Sequence, residues 1–110
     1  MSKRLRFLGR NGSPGNTCPT LYETEDSFVA QGWRTNTSGT VEIPHVLLGY
    51  TDPETYLGSP LVDSGRGTFL LSGTPVTDPN ILAQLEIAPN EAAVEVPRRE
   101  RRFYGEAVTG

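Results

Sequence analysis

The sequence predicts a mainly β fold with one short helix, arranged as an internally duplicated pseudo-twofold β-sandwich or small barrel. Three observations support this: many turn residues, several short apolar runs and an approximate internal repeat. The 110 residues include 12 glycines and 9 prolines, which favours short elements separated by turns over long helices. A chain of this length is typical of one domain.

Four segments have the composition of β-strands or hairpins. Residues 21–33 place β-forming residues on both sides of an acidic centre, which indicates a hairpin. Residues 40–48 form a β-branched run in which Pro44 marks an end or an edge position. Residues 68–71 and 93–96 are two further apolar strands.

One segment, residues 77–87, has the signals of a short helix. Asp78 can cap the first turn, and Pro79 suits the first helical position because it has no N–H to leave unbonded. Ile81 and Leu85 then fall four residues apart, which gives the helix one apolar side.

An approximate repeat relates the two halves of the chain. Matches at an offset of 41 cover the hairpins, and matches at an offset of 53 cover the strands that follow, so the second copy contains the helix as an insertion. Chance similarity between short β-rich segments remains the alternative. The matched positions are Pro19 and Pro60, Ser27 and Thr68, Phe28 and Phe69, Gly32 and Gly73, and the segments Val41–Pro44 and Val94–Pro97.

The repeat defines the predicted domain organisation. A single β-rich domain spans residues 19–97, with repeat 1 at about 19–50 and repeat 2 at about 60–97. Residues 1–18 form a basic N-terminal segment with a glycine-rich loop, and residues 98–110 form a basic C-terminal segment. Because neither unit has enough apolar surface to be stable alone, the two should share a core. The residues expected in it are Phe28, Phe69, Val41, Ile43, Val94 and Val96.

Charge is distributed unevenly along the chain. Residues 11–97 contain two bases and eleven acids, a net of −9, whereas both ends are basic. The basic ends either fold back on the acidic body or project toward an anionic partner. The candidate partner-binding residues are Lys3, Arg4, Arg6, Arg10, Arg98, Arg99, Arg101 and Arg102, together with Trp33, which has no aromatic counterpart in the second copy.

No pattern in the sequence predicts catalysis, a metal site or a cofactor. Cys18 and His45 are the only cysteine and histidine, too few for a disulfide or a zinc site. A Ser-His-Asp arrangement would need His45, but no serine lies in a Gly-x-Ser-x-Gly context. Glu42 and Glu95, matched by the repeat, should lie on the solvated face of their strands. We therefore expect a protein that is not an enzyme.

The hydropathy of the chain predicts a soluble, cytoplasmic protein without a membrane partner. No apolar run approaches the roughly 18 residues that a membrane-spanning helix needs. The basic start of the chain is not followed by the apolar stretch of a signal sequence.

Two segments of the sequence carry a resemblance to known families. Residues 18–33, taken with residues 76–97, resemble small uncharacterised actinobacterial proteins that often occur beside helix-turn-helix regulators. Those proteins look like one hairpin followed directly by the Thr-Asp-Pro helix and the last strand, so residues 34–75 look like an inserted partial second copy. This resemblance implies no activity.

The second resemblance concerns Pro79 to Val96. Its order of proline, short helix, Leu-x-Ile-x-Pro, turn and Val-Glu-Val is similar to the swapped-hairpin (AbrB-type) pattern of bacterial transition-state regulators and antitoxins. That family usually has Gly-Asp where Asn90-Glu91 stands, and it binds DNA through basic residues near its barrel.

These observations lead to three hypotheses about function. The first is a non-catalytic protein-interaction or regulatory module, whose partner is another protein or a second copy of the chain. The alternative is an AbrB-like DNA-binding transcriptional regulator that contacts nucleic acid through its basic termini. The third is a small-ligand binder that uses the cleft between the repeats.

Overall fold

The computed structural model describes residues 4–10 and 19–102 of the chain. In these residues one α-helix, α1, spans Pro79–Leu82, and a 3-10 helix spans His45–Tyr50. The strands are β1 (Arg6–Arg10), β2 (Thr20–Glu23), β3 (Ser27–Arg34), β4 (Thr40–Pro44), β5 (Thr55–Leu57), β6 (Leu61–Asp63), β7 (Thr68–Ser72), β8 (Thr74–Pro75) and β9 (Glu91–Glu100).

The predicted mainly β fold is confirmed, with two short helices rather than one. The cap of α1 forms as the sequence predicts: Asp78 accepts the N–H of Asn80 at 2.8 Å, and Pro79 is the first helical residue. The helix covers a single turn of the predicted segment. The 3-10 helix replaces the end of the run predicted as strand, because β4 ends at Pro44, which cannot donate to a ladder.

All strand pairs are antiparallel and belong to one nine-stranded sheet. Its order is β1-β2-β3-β4-β7-β6, and β9 pairs with β3, β5 and β8. The predicted small barrel is wrong, because β1 and β6 end this order with one neighbouring strand each and the sheet does not close.

The third strand of each predicted repeat pairs along the hairpin of the other repeat. Phe28 on β3 lies opposite Val96 on β9, and Phe69 on β7 lies opposite Ile43 on β4. The sequence repeat matches Phe28 with Phe69 and Ile43 with Val96, so the two cross-strand pairs occupy matching positions. The shared register is what a duplicated unit would produce, and duplication stays a prediction.

Two glycines lie where the second strand of a hairpin approaches the third strand of the same predicted repeat. A Cβ at Gly32 would lie 2.6 Å from the carbonyl oxygen of Glu42, and one at Gly73 would lie 2.7 Å from that of Glu95. Both distances are shorter than van der Waals contact, so a side chain at either position would push the strands apart.

The main core lies between the two units. Five of the six residues predicted to form it are buried, but Phe69 is only partly buried and packs at the edge of the cluster. Its buried members are Leu21, Phe28, Ala30, Val41, Ile43, Leu47, Leu57, Leu71, Val94 and Val96.

A second, smaller core lies on the opposite face of β3 and β9. Ile81 and Leu85, the pair predicted to form the apolar side of the helical segment, pack there against Val29 and Ala93. Alternate residues of β3 therefore face different clusters, as expected for a strand covered on both sides.

Both basic segments of the chain contribute to the sheet. β1 pairs with β2, and β9 continues beyond Pro97 to pair with β5, so that Arg98 lies opposite Leu57 and Arg99 lies opposite Tyr56. The end of β9 and β5 form a two-stranded ribbon at one end of the molecule.

Candidate functional site

One of the N-terminal arginines pairs with an acid of the body. Arg6 pairs with the largely buried carboxylate of Glu23, and Arg10 lies over the ring of Phe7, at 5.5 Å from its centroid. Arg4 is exposed, and Lys3 lies outside the described residues. The Arg6–Glu23 contact fits the expectation that the basic N-terminal segment folds back on the acidic body, whereas the Arg10–Phe7 contact lies within that segment.

Two C-terminal arginines are held by backbone carbonyl groups. Arg98 donates to the carbonyl oxygen of Glu25 at 3.1 Å, and Arg101 donates to that of Pro53 at 2.9 Å. Neutral acceptors fix these guanidinium groups without cancelling their charge. Within residues 4–10 and 19–102, no carboxylate pairs with Arg98, Arg99, Arg101 or Arg102.

One face of the β5–β9 ribbon combines arginine with tyrosine. Arg99 and Tyr56 are paired across the strands, and Arg101 lies two residues further on the same face, with its guanidinium carbon 5.7 Å from the Tyr56 centroid. Tyr56 is 38% exposed. We call these three residues, Tyr56, Arg99 and Arg101, the arginine face.

A glycine at the end of β5 lets Arg99 lie flat on the ribbon. A Cβ at Gly58 would come within 2.8 Å of the Arg99 side chain. The aliphatic stem of Arg99 therefore packs on the backbone while its charged end stays in solvent.

The other face of the ribbon has mixed charge. Arg98, Glu100 and Arg102 alternate along β9 there, Asp52 and Glu54 line the same groove, and the side chain of Arg101 also reaches it. Since acids and bases are interleaved, this face has no strong preference for an anion.

The structure brings only some of the predicted basic residues together. Arg6 and Arg98 both contact the β2–β3 hairpin, through Glu23 and the Glu25 carbonyl respectively. Arg10 lies at the opposite end of β1, where its carbonyl accepts a bond from Tyr50.

Trp33 is a half-buried residue of β3 rather than an exposed platform. It lies between strands, opposite Glu42 on β4 and Glu91 on β9. It contributes nothing to the arginine face.

Glu42 and Glu95 alternate with the buried residues of their strands, as expected, but both are only partly exposed. Thr68 donates to Glu42 at 2.5 Å, and Ser27 donates to Glu95 at 2.5 Å, so each partly buried carboxylate accepts a hydrogen bond from the first residue of a neighbouring strand. The Thr68 hydrogen bond, supported by Arg66 at 2.9 Å, lowers the pKa of Glu42 below its ordinary value.

The only histidine, His45, lies near an aspartate, and the serine next to that aspartate is already hydrogen-bonded. His45 stacks on Phe69, with 4.0 Å between centroids, and its Nε2 lies 3.8 Å from Asp63. The adjacent Ser64 hydroxyl is bonded to Thr68 at 2.5 Å. In the described part of the chain, no three potential metal-ligating side chains cluster together.

A cleft of about 550 Å³ lies where the two units meet at the other end of the sheet. One wall contains Leu82 and Ile87, which are 38% and 37% exposed. The other wall is the polar β3–β4 loop, with Arg34 at its start. Arg34 donates to the carbonyl of Pro89 at 3.4 Å, and in the described residues it forms no ion pair.

Glu91, at the start of β9, lines this cleft and is only 3% exposed. Its Oε1 accepts bonds from Gln31 at 2.9 Å and from the N–H of Ala88 at 3.2 Å. Its Oε2 is buried without a partner, the one such side-chain atom in the described residues. Leaving a buried polar atom unbonded costs about 1–3 kcal/mol.

Sequence reasoning missed Tyr56, Arg34 and Glu91. The stretch around Tyr56 is rich in turn residues, which concealed a three-residue strand. Arg34 could have been singled out as one of only two bases in residues 11–97.

Comparison with known proteins provides no relative for this chain. No family model, curated protein or solved structure matches it. Among the described residues, none of the helices is long and apolar enough to cross a membrane.

Proposed function

We propose that this protein is a non-catalytic interaction module that docks an acidic segment of another protein on the arginine face. The observation that carries the proposal is the pairing of Arg99 and Tyr56 on an exposed ribbon with Arg101 beside them. The compartment proposed for this interaction is the cytoplasm.

The chemistry of the arginine face suits carboxylates. A guanidinium group presents a planar fork of donors that can bind a carboxylate through two parallel hydrogen bonds. Arg99 is free of intramolecular carboxylates in the described residues, and Arg101 is held in place by neutral carbonyls. Little ordering is therefore needed when a partner binds.

The surroundings of the ribbon favour a short acidic segment over nucleic acid. The body carries a net charge of −9 over residues 11–97, and Asp52 and Glu54 line the groove on the reverse face of the same ribbon. A nucleic acid presents a long continuous line of phosphates, which the acidic body would repel. A short segment with a few carboxylates can contact the arginine face without approaching the rest of the acidic body.

Fluorescence anisotropy with a short labelled oligoglutamate peptide tests the proposal. The peptide should bind the intact protein, and its affinity should fall as salt rises from about 50 to about 200 mM. Arg99→Gln should weaken binding about fivefold, equivalent to about 1 kcal/mol. Arg34→Gln removes the same charge at the opposite end of β9 and is the control, with no expected change.

Two outcomes would overturn the proposal. One is equal loss of peptide binding in both variants, which would indicate a nonspecific charge effect. The other is tighter binding of a labelled DNA duplex than of the peptide at the same salt, with the same dependence on Arg99, which would favour the nucleic-acid hypothesis.

A further inference from the structure

Beyond Pro97, the last strand has one edge without a neighbouring strand. The N–H of Arg98 donates to a carbonyl of the β2–β3 turn at 3.1 Å, and the N–H of Arg101 donates to a carbonyl just before β5 at 2.7 Å. Because the backbone groups of successive residues in a strand point to opposite sides, those of Glu100 point to the same side as the N–H of Arg98. The β3–β9 pairing ends at Pro97, so no strand of the described residues lies beside Glu100 on that side.

A hollow of about 670 Å³ follows this edge. It is lined by Tyr56 and by all five residues from Arg98 to Arg102. Because consecutive side chains of a strand lie on opposite faces, a hollow that contacts every one of them runs along the edge of the strand as well as over one face. The five residues are exposed, and within the described part of the chain the N–H of Glu100 has no acceptor. An unpaired edge of this kind is a template for an added strand.

The direction of the Glu100 backbone groups fixes the register of an added strand. An antiparallel neighbour, the arrangement of every strand pair in this sheet, exchanges two hydrogen bonds with Glu100. The residues on either side of that pair then lie opposite Arg99 and Arg101, at positions where cross-strand side chains approach each other most closely. Acids at these two positions face opposite charges, whereas an acid between them faces the like charge of Glu100.

We propose, building on the proposed function, that the partner of the arginine face is an extended segment with acidic residues at alternate positions, which joins the free edge of β9 as an additional antiparallel strand. Backbone hydrogen bonds to Glu100 hold the segment in place, and its two carboxylates bind Arg99 and Arg101. A neutral residue lies between the two acids. In this mode of recognition the main chain supplies affinity and the alternate side chains supply specificity.

Fluorescence anisotropy with two labelled peptides of equal charge tests the predicted pattern. The first is Thr-Glu-Thr-Glu-Thr, capped at both ends, and the second is Glu-Glu-Thr-Thr-Thr with the same caps. Only the first can place an acid opposite each arginine and threonine opposite Glu100. It should bind at least about fivefold more tightly than the second.

Methylation of single peptide nitrogens tests the strand pairing itself. A methyl group on the nitrogen of the central threonine of the first peptide removes the donor that faces Glu100, and it should weaken binding at least about tenfold, a loss of about 1.4 kcal/mol. A methyl group on the nitrogen of the glutamate that follows points away from β9 and is the matched control, with a change of less than about twofold expected. Neither peptide differs in charge, and the protein is unmodified. Hydrogen exchange followed by NMR should also show slower exchange of the Glu100 amide in the complex.

The strand-addition proposal is overturned if both methylated peptides bind as well as the unmodified one, or if Glu-Glu-Thr-Thr-Thr binds as tightly as the alternating peptide. Binding of oligoglutamate that depends on Arg99 would then still support the proposed function, with side chains alone making the contact. Absence of binding that depends on Arg99 for every acidic peptide would overturn both proposals.

Discussion

The two repeats differ in structure after Pro44 and Pro97, the prolines that the sequence repeat matches. In both, the next residue donates its N–H to a hairpin turn: His45 to Gly67 at 3.2 Å, and Arg98 to Asp26 at 3.1 Å. Beyond that point the first unit becomes a 3-10 helix that buries Leu47, whereas the second continues as the strand of the arginine ribbon. The core is formed by segments whose structure is similar in the two repeats, and the arginine face lies in a segment whose structure differs between them.

The same contrast holds at the opposite end of the sheet. After Gly32 the first unit reaches its third strand through a short polar loop, while after Gly73 the second unit inserts β8 and α1. Loop and insertion together form the two walls of the cleft. Differences between the matched connections therefore produce both the arginine ribbon and the cleft.

The largest expected effect distinguishes the two matched phenylalanines. Phe28→Ala should lower the free energy of unfolding by about 3–5 kcal/mol, because the ring is fully buried. Phe69→Ala should cost about half as much, because its ring lies at the edge of the core against His45. Urea unfolding followed by circular dichroism measures both. Equal losses would mean that the units bury these rings equally.

The matched glycines should behave alike, in contrast to the phenylalanines. Gly32→Ala and Gly73→Ala should each lower stability by about 1–3 kcal/mol, because the new Cβ meets a carbonyl oxygen in both units. Gly49→Ala is the control, because a Cβ at that position would have no neighbouring atom within 4 Å, and its effect should stay below about 0.5 kcal/mol. If Gly32→Ala left stability unchanged while Gly73→Ala lowered it, the two positions would not be structurally equivalent.

The contribution of Glu42 to the stability of the first repeat should depend on pH. Its folded-state pKa is lowered from 4.5 by Thr68 and Arg66, so its contribution to stability is present above that value and is lost as the pH falls through the lower folded pKa. Glu42→Gln should cost about 1–2 kcal/mol at neutral pH. The difference from the unmodified protein should shrink steadily in acid, as measured by urea unfolding at several pH values. A difference independent of pH would contradict this role.

The smallest expected effect concerns the insertion of the second unit. Asp78→Ala removes the acceptor for the N–H of Asn80 and should cost about 1 kcal/mol. Asp78→Ser keeps an acceptor at the cap and should retain most of the stability. Thermal unfolding of the three proteins measures the difference, and an equal loss in both variants would show that the cap does not stabilise α1.

Local signals in the sequence predicted several of the elements and the first hairpin, but not β1, β5, β6 or β8, and not the long-range pairing of the strands. The cap at Asp78, the end of β4 at Pro44 and the hairpin before Phe28 follow from short-range backbone rules, and each forms as expected. The exchange of third strands depends on contacts between residues far apart in sequence, such as Phe28 and Val96. Periodicity cannot supply that information.

The candidate site was predictable only in part, for a similar reason. The arginines of β9 stand out as a charge cluster, yet Tyr56 joins them only through the β5–β9 pairing. Likewise, Glu42 and Glu95 alternate with apolar residues as solvated side chains would, and only the tertiary structure brings Thr68 and Ser27 to them.

Chemical-shift mapping of unlabelled oligoglutamate on the isotope-labelled protein tests the assignment of function most directly. We expect the largest shifts on Tyr56, Arg99 and Arg101, and we expect them to decrease together as salt is added. Largest shifts on β1 or in the cleft, with the ribbon unaffected, would contradict it.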